Sequence, residues 1–205
     1  MSRRIALLVS GASGMALPRT LLRRLAGHEE VERVHLVVSR GASQVLHHEL
    51  GPARTGAEDL AEAAGIGGSA RDKVEIHRDN ELDAAIASGS YTLDGTAIVP
   101  CSAGSLGALA TGSATTLIHR AGAVALKEGW PLVLGFRETP LTVVHIENMR
   151  RLAFAGATVM PPVPAFYVGG EELDRFLDHY AMRVMDRFGL RTGAGSGLRW
   201  GESGE

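Results

Sequence analysis

Short, unbroken apolar runs alternate with longer stretches of helical spacing along this chain, and that alternation restricts its fold more than any other feature. Ile5 to Val9, Val34 to Val38, Val74 to Ile76, Thr96 to Val99, Leu132 to Leu134 (extended to Phe136) and Ala157 to Met160 read as strands. Leu17 to Leu25, Gly41 to Leu50, Leu106 to Leu126 and Val143 to Phe154 read as helices, the third in two pieces broken near Gly112. Leu82 to Ala87 reads as a helical turn or two. Glu171 to Phe188 is an amphipathic helix, with Leu173, Phe176, Leu177, Tyr180 and Val184 on one face. Strands alternating with helices of this length make βαβ units around a mostly parallel sheet. Strands that are apolar throughout, rather than at every second residue, belong to a sheet covered on both faces. The expectation is an α/β, three-layer domain over residues 1–190. Gly51 to Asn80 is polar and weakly patterned, so it is expected to be a flexible excursion. Residues 191–205 form a glycine-rich tail carrying Trp200, expected to dock on a neighbouring subunit.

Composition narrows the function. A chain of 205 residues can bury a full core by itself. Cys101 is the single cysteine, which excludes an intrachain disulfide and fits a reducing compartment. Lys plus Arg number 21 and Asp plus Glu 23, a net charge of -2, which argues against a dedicated nucleic-acid or anionic-membrane binder. No apolar run approaches the roughly 20 residues of a membrane helix. The stretch after Arg3-Arg4 is too short for a signal peptide and runs into a glycine-rich turn, so a cytoplasmic protein is expected. Glycine is abundant at 26 residues and aromatics are scarce at 5%, which suggests loops where backbone approaches a ligand.

In parallel sheets, ligands bind beyond the carboxyl ends of the strands. Gly11-Ala12-Ser13-Gly14 follows the first strand, Ser39-Arg40 the second, Pro100 to Ser105 the fourth, Arg137-Glu138-Thr139-Pro140 the fifth, and Pro161 to Tyr167 the last. Small residues let backbone N–H groups approach a phosphate, and helix N-termini favour an anion. The first loop alone is not diagnostic, because it has neither the dinucleotide-fold nor the P-loop spacing. Cys101 reads as a buried thiol rather than a nucleophile. The eight histidines make no ligand pattern, and the adjacent His47 and His48 would point about 100° apart on a helix, so no metal site is expected.

Taken together, the blocks Ser10 to Gly14, Pro100-Cys101-Ser102, Ala125-Leu126-Lys127-Glu128, Pro131 to Leu134, Arg137 to Leu141 and Met160 to Tyr167 resemble the UbiX-type flavin prenyltransferases, in order, from about residue 4 to Trp200. The resemblance implies a flavodoxin-like, Rossmann-type sheet and a large homo-oligomer, typically a dodecamer. It implies FMN, in reduced form, as the bound flavin, dimethylallyl monophosphate as prenyl donor, and no metal. The product would be prenylated FMN, joined at N5 and C6, for use by a UbiD-type decarboxylase.

Carried over by position, the resemblance assigns Gly11, Ala12, Ser13, Ser39, Ser102, Ala103, Gly104, Ser105 and Arg137 to the flavin. It assigns Arg120, Lys127, Tyr167 and Arg183, with Arg137, to the prenyl phosphate. A phosphate monoester near pH 7 wants N–H groups, hydroxyls and cations, which agrees. Glu138 is assigned to acid–base work, Glu49 to supporting the site, Ser13 to a proton relay or a bond to flavin N5, and Lys127 to the leaving phosphate. The ring face of Trp200 would stabilise allylic-cation character. Tyr167, Arg183 and Trp200 are expected to serve a neighbouring subunit's flavin.

The chain departs from the pattern at Leu17-Pro18, Thr115-Thr116, His119 and Gly129-Trp130. Three other readings stay open: an FMN-binding carrier or accessory subunit of a decarboxylase, a flavin-dependent cysteine decarboxylase, and a plain nucleotide-binding domain. The second would want an asparagine-bearing loop where this chain has Pro100-Cys101-Ser102-Ala103-Gly104-Ser105.

Overall fold

A computed structural model describes residues 2–168, 172–191 and 198–200. Six strands form one sheet: β1 (Arg3–Val9), β2 (Val31–Val38), β3 (Val74–Arg78), β4 (Gly95–Cys101), β5 (Leu132–Phe136) and β6 (Thr158–Val159). Their order is β3-β2-β1-β4-β5-β6 and every pairing is parallel. This is the Rossmann order, and the direction of winding reverses between β1 and β4. The helices are α1 (Ala16–Gly27), α2 (Arg40–Leu50), α3 (Ala57–Ala63), α4 (Ser69–Asp72), α5 (Ala103–Ala110), α6 (Leu117–Glu128), α7 (Val143–Phe154) and α8 (Leu173–Arg187).

The unbroken apolar strands do what was expected of them, feeding two cores. Ile5, Leu7, Val34 and Leu36 pack with α1, α3 and α8 on one face. Ala6, Leu8, Val37, Ile98 and Leu134 pack with α5, α6 and Leu152 of α7 on the other. Full burial of each such side chain contributes roughly 1.5–3 kcal/mol. Among the described residues no helix is long and apolar enough to cross a membrane.

Four expectations need correction. Gly51 to Asn80 is no flexible excursion: it folds into α3, α4 and β3, and Leu60, Ala61 and Ala64 are buried against the α1 core. Leu82 to Ala87 holds only a 3₁₀ turn at Ala85–Ala87. The helical run from Leu106 is two helices broken at Gly112 (φ +72°), as expected, but it starts earlier, at Ala103. On α8, Leu177, Tyr180 and Val184 are buried, but Leu173 is 66% exposed because it lies in the first turn, beyond the core.

His35 is an exception on the apolar strands. It is fully buried, with Nδ1 2.9 Å from His77 Nε2 and Nε2 3.0 Å from the Tyr91 hydroxyl. Burial, with His77 next in effect, lowers its pKa to about 4.

Candidate active site

The carboxyl ends of β1 and β4 meet where the winding reverses. Ser10 ties them together: its hydroxyl donates to the Pro100 carbonyl at 3.1 Å and accepts the Ser102 N–H at 2.8 Å. The loop after β1 runs so close to the start of α2 that a Cβ on Gly11 would stand 2.8 Å from the Gly41 carbonyl carbon. Only glycine fits there.

Three helices begin around this point, each capped by a hydroxyl. Ser39 accepts the Ala42 N–H at 3.0 Å for α2, Ser102 the Ser105 N–H at 3.2 Å for α5, and Thr116 the His119 N–H at 3.4 Å for α6. Asp79, just past β3, also caps α6, its carbonyl accepting from Leu117 at 2.7 Å and its carboxylate from Ile118 at 3.1 Å. The three N-termini border one cavity of about 320 Å³, lined by Gly11, Ser39, Arg40, Ser102, Gly104 and Ser105 among others. Each N-terminus carries about half a positive charge, so the cavity favours an anion. A second hollow of about 560 Å³ shares Arg40, Asp79 and Thr116 with the first.

Most of the expected flavin residues therefore come together. Ala103 follows the Ser102 cap on α5. Ala12 and Ser13 are on the first loop, with Ser13 exposed. Arg137 reaches back from β5 to that loop: its Cδ would lie 3.6 Å from a Cβ on Gly14. Its Nε is buried with no hydrogen-bond partner among the described residues, a donor ready for a ligand. The neighbouring Glu138 is exposed, its carboxylate accepting the Thr139 N–H at 3.0 Å. Glu49 accepts from Gly14 N at 2.9 Å and Met15 N at 2.7 Å. It holds the loop and the start of α1.

His119 was noted in the sequence as a departure, not as a site residue. It lines the cavity, its Nε2 3.3 Å from Ser105 Oγ and its Nδ1 buried without a partner among the described residues. Burial lowers its pKa, partly opposed by Asp79. Its one sequence signal was its place three residues after the Thr116 cap. Cys101 is fully buried, which pushes its thiol up to about 12 and removes it as a nucleophile.

The prenyl-phosphate residues do not meet within one chain. Arg120 Nε donates to the Ala87 carbonyl at 3.1 Å. Lys127 pairs with Glu128 in the last turn of α6, above Gly89. Arg183 lies 4.0 Å from Asp186 on α8, on the opposite face of the sheet from α6. The Tyr167 hydroxyl lies 3.1 Å from His179 Nε2, and Trp200 meets the Tyr167 ring edge-on at 5.1 Å. Two covered sheet faces keep these groups apart. Leu198 packs on Met182, and Arg199 pairs with Asp186 at 2.6 Å, so this part of the tail lies on α8 of its own chain, leaving Trp200 80% exposed. The tail's remaining residues, 192–197 and 201–205, lie outside the described residues.

The profile of the Flavoprotein family matches residues 1–175. The chain is 45% identical over 184 residues to the flavin prenyltransferase UbiX of Deinococcus radiodurans, covering 90% of this chain and 87% of that one. Among solved structures it resembles AnUbiX (PadA1) in complex with FMN and dimethylallyl pyrophosphate, with a TM-score of 0.79 and 35% identity over 93% of this chain and 94% of that one. It also resembles a dodecameric FMN-dependent UbiX-like decarboxylase from Escherichia coli O157:H7, with a TM-score of 0.82 and 36% identity over 96% and 98% of the two chains.

Proposed function

The chain belongs to the Flavoprotein family, among its UbiX-type flavin prenyltransferases, and on that premise we propose that it joins a dimethylallyl group from dimethylallyl monophosphate to N5 and C6 of reduced FMN. The observation that carries this reading is the anion-favouring cavity at the β1/β4 reversal, bordered by three capped helix N-termini, with Arg137 and its unpartnered Nε beside the adjoining first loop at Gly14. The flavin supplies the nucleophilic nitrogen and carbon. The chain's own groups do the rest.

Gly11, Ser39 and the α5 start hold the flavin's polar atoms through N–H groups and hydroxyls. Arg137 places a charged donor beside the first loop. Glu138, exposed just after β5, accepts the proton that the flavin ring loses on ring closure, directly or through the released phosphate. Arg120, which donates to the Ala87 carbonyl, and Lys127, paired with Glu128 beside Gly89, bring two cations and one carboxylate to the 87–90 segment. Tyr167, Arg183 and Trp200 form another group. Each group completes the cavity of a neighbouring copy. Exposed apolar side chains on and near α7, including Val143, Val144 and Phe154 at 76%, 65% and 82%, support such self-association, and the dodecameric relative supports a homododecamer. The prenylated FMN then leaves for a UbiD-type decarboxylase. The protein works in the cytoplasm and needs no metal for this reaction.

The test is anaerobic incubation with reduced FMN and dimethylallyl monophosphate, then mass spectrometry of the extracted flavin. A gain of one C5H8 unit is expected. Tight binding of unchanged FMN, with the monophosphate and then the diphosphate donor, would leave the carrier reading instead.

A further inference from the structure

We propose that His35, Glu75 and His77 form a binding site for a first-row divalent metal of the zinc class, which ties the edge strand β3 to β2. None of the three lines the 320 Å³ cavity, though His77 lines the hollow beside it, and the proposal does not depend on the reading above.

The strand pairing creates it. His35 on β2 stands opposite Glu75 on β3, and His77 is two residues on, so all three side chains emerge on one face of the sheet. His35 Nδ1 and His77 Nε2 are 2.9 Å apart. Glu75 offers one oxygen to each: Oε2 is 3.7 Å from His35 Nδ1 and Oε1 is 3.6 Å from His77 Nε2. Three donors at such separations fit around a common centre about 2 Å from each, the bond length zinc takes with imidazole and carboxylate. Two imidazoles and one carboxylate are a ligand set for this class of ion, with a remaining position for water.

The surroundings fit as well. The Tyr91 hydroxyl, 3.0 Å from His35 Nε2, can accept that nitrogen's proton, the tautomer in which the Nδ1 lone pair faces the centre. Such an outer partner fixes tautomer and ring orientation in metal sites. Arg4 stacks over the Tyr91 ring at 5.0 Å. His35 is fully buried and His77 7% exposed, while the Glu75 side chain is 45% exposed, which gives the ion an entry path. Arg33 Nε, 3.8 Å from Glu75 Oε2, is the opposing charge; a bound cation displaces it from that carboxylate. The ion would stiffen the edge strand only two residues before Asp79, which caps α6 in the cavity wall.

The test uses the full chain after EDTA treatment, titrated with Zn²⁺ by calorimetry and with Co²⁺ by visible absorption. The expected result is one equivalent of Zn²⁺ per chain, Co²⁺ bands that Zn²⁺ displaces, and a higher Tm with Zn²⁺. Glu75→Gln keeps the shape of a half-exposed side chain and should weaken binding about 10–100-fold or more, and His77→Ala should abolish the Tm rise. The double variant His47→Ala/His48→Ala should keep the full equivalent. The proposal is overturned if wild type binds less than one equivalent, if Glu75→Gln binds as wild type does, or if the His47/His48 double variant loses the site. His35 and His77 would then be a hydrogen-bonded pair and nothing more.

Discussion

The Glu49 carboxylate, at the end of α2, accepts the backbone N–H of Gly14 across 35 residues of sequence, and that of Met15 beside it. α1 has no side-chain cap of its own at Met15, so this carboxylate does that work from a distance. It also occupies the positive end of α1, which sends an incoming phosphate to the α2, α5 and α6 starts instead. Replacing Glu49 with Ala should cost about 1 kcal/mol, the scale of a lost cap, and lower Tm by roughly 2–4 °C in a thermal melt. FMN affinity should fall with it, because the first loop loses its anchor. An unchanged melt would show that the loop holds itself.

Arg137 and Glu138 are adjacent, but the proposed reaction gives them different tasks. Arg137→Ala should weaken FMN binding, read by fluorescence quenching, because it removes a buried donor. Glu138→Gln should leave binding within about twofold of wild type and lower turnover by at least about 10²-fold, the scale of a lost general base. Equal losses of binding in both variants would argue against this division.

Tyr167 is held by His179, whose pKa burial lowers, with Arg183 adding to the effect. His119 is lowered in the same direction. A folded chain that refuses protons the unfolded chain takes up near the ordinary value of 6.5 has its full stability above that pH and loses it as pH falls below. The denaturation midpoint should therefore drop between pH 7 and pH 5. His179→Gln, which keeps a partner for the Tyr167 hydroxyl, should lessen that slope while sparing turnover, with His35 and His119 supplying the rest; His179→Phe should lessen it equally and lower turnover.

If cavities are completed by neighbouring copies, two inactive variants can repair each other. Lys127→Ala and Glu138→Gln chains, co-expressed, should regain part of the activity that each lacks alone. Phe154→Glu should break the assembly, read by light scattering, and abolish turnover with the fold intact by circular dichroism. Full activity in a monomeric Phe154→Glu variant would sink the shared-site reading.

The parallel sheet was legible because Ile5 to Val9 and its counterparts are apolar at every position, a pattern only a doubly covered sheet needs. The flavin loops were legible for a related reason: each follows a strand, and strand ends share one edge. α3 and α4 were not, since helices of seven and four residues are too short to show a period. Leu173 misled because a helix face continues in sequence after the core beneath it has ended. The separation of Lys127 from Arg183 could not be read locally, because it depends on which face of the sheet each helix covers. His35 and His77, 42 residues apart, meet only through strand register, which no spacing rule reveals.

α6 starts at the chain's own cavity behind its Thr116 cap and carries Lys127 in its last turn, and its 12 residues make a rod about 18 Å long. If Lys127 serves a neighbouring copy's pocket, the distance between the pocket a subunit keeps and the cation it lends is a fixed length rather than an adjustable one. Subunits joined by such rulers can satisfy every pocket only when the arrangement closes on itself, because an open chain would always leave a pocket unserved at one end and a lysine idle at the other.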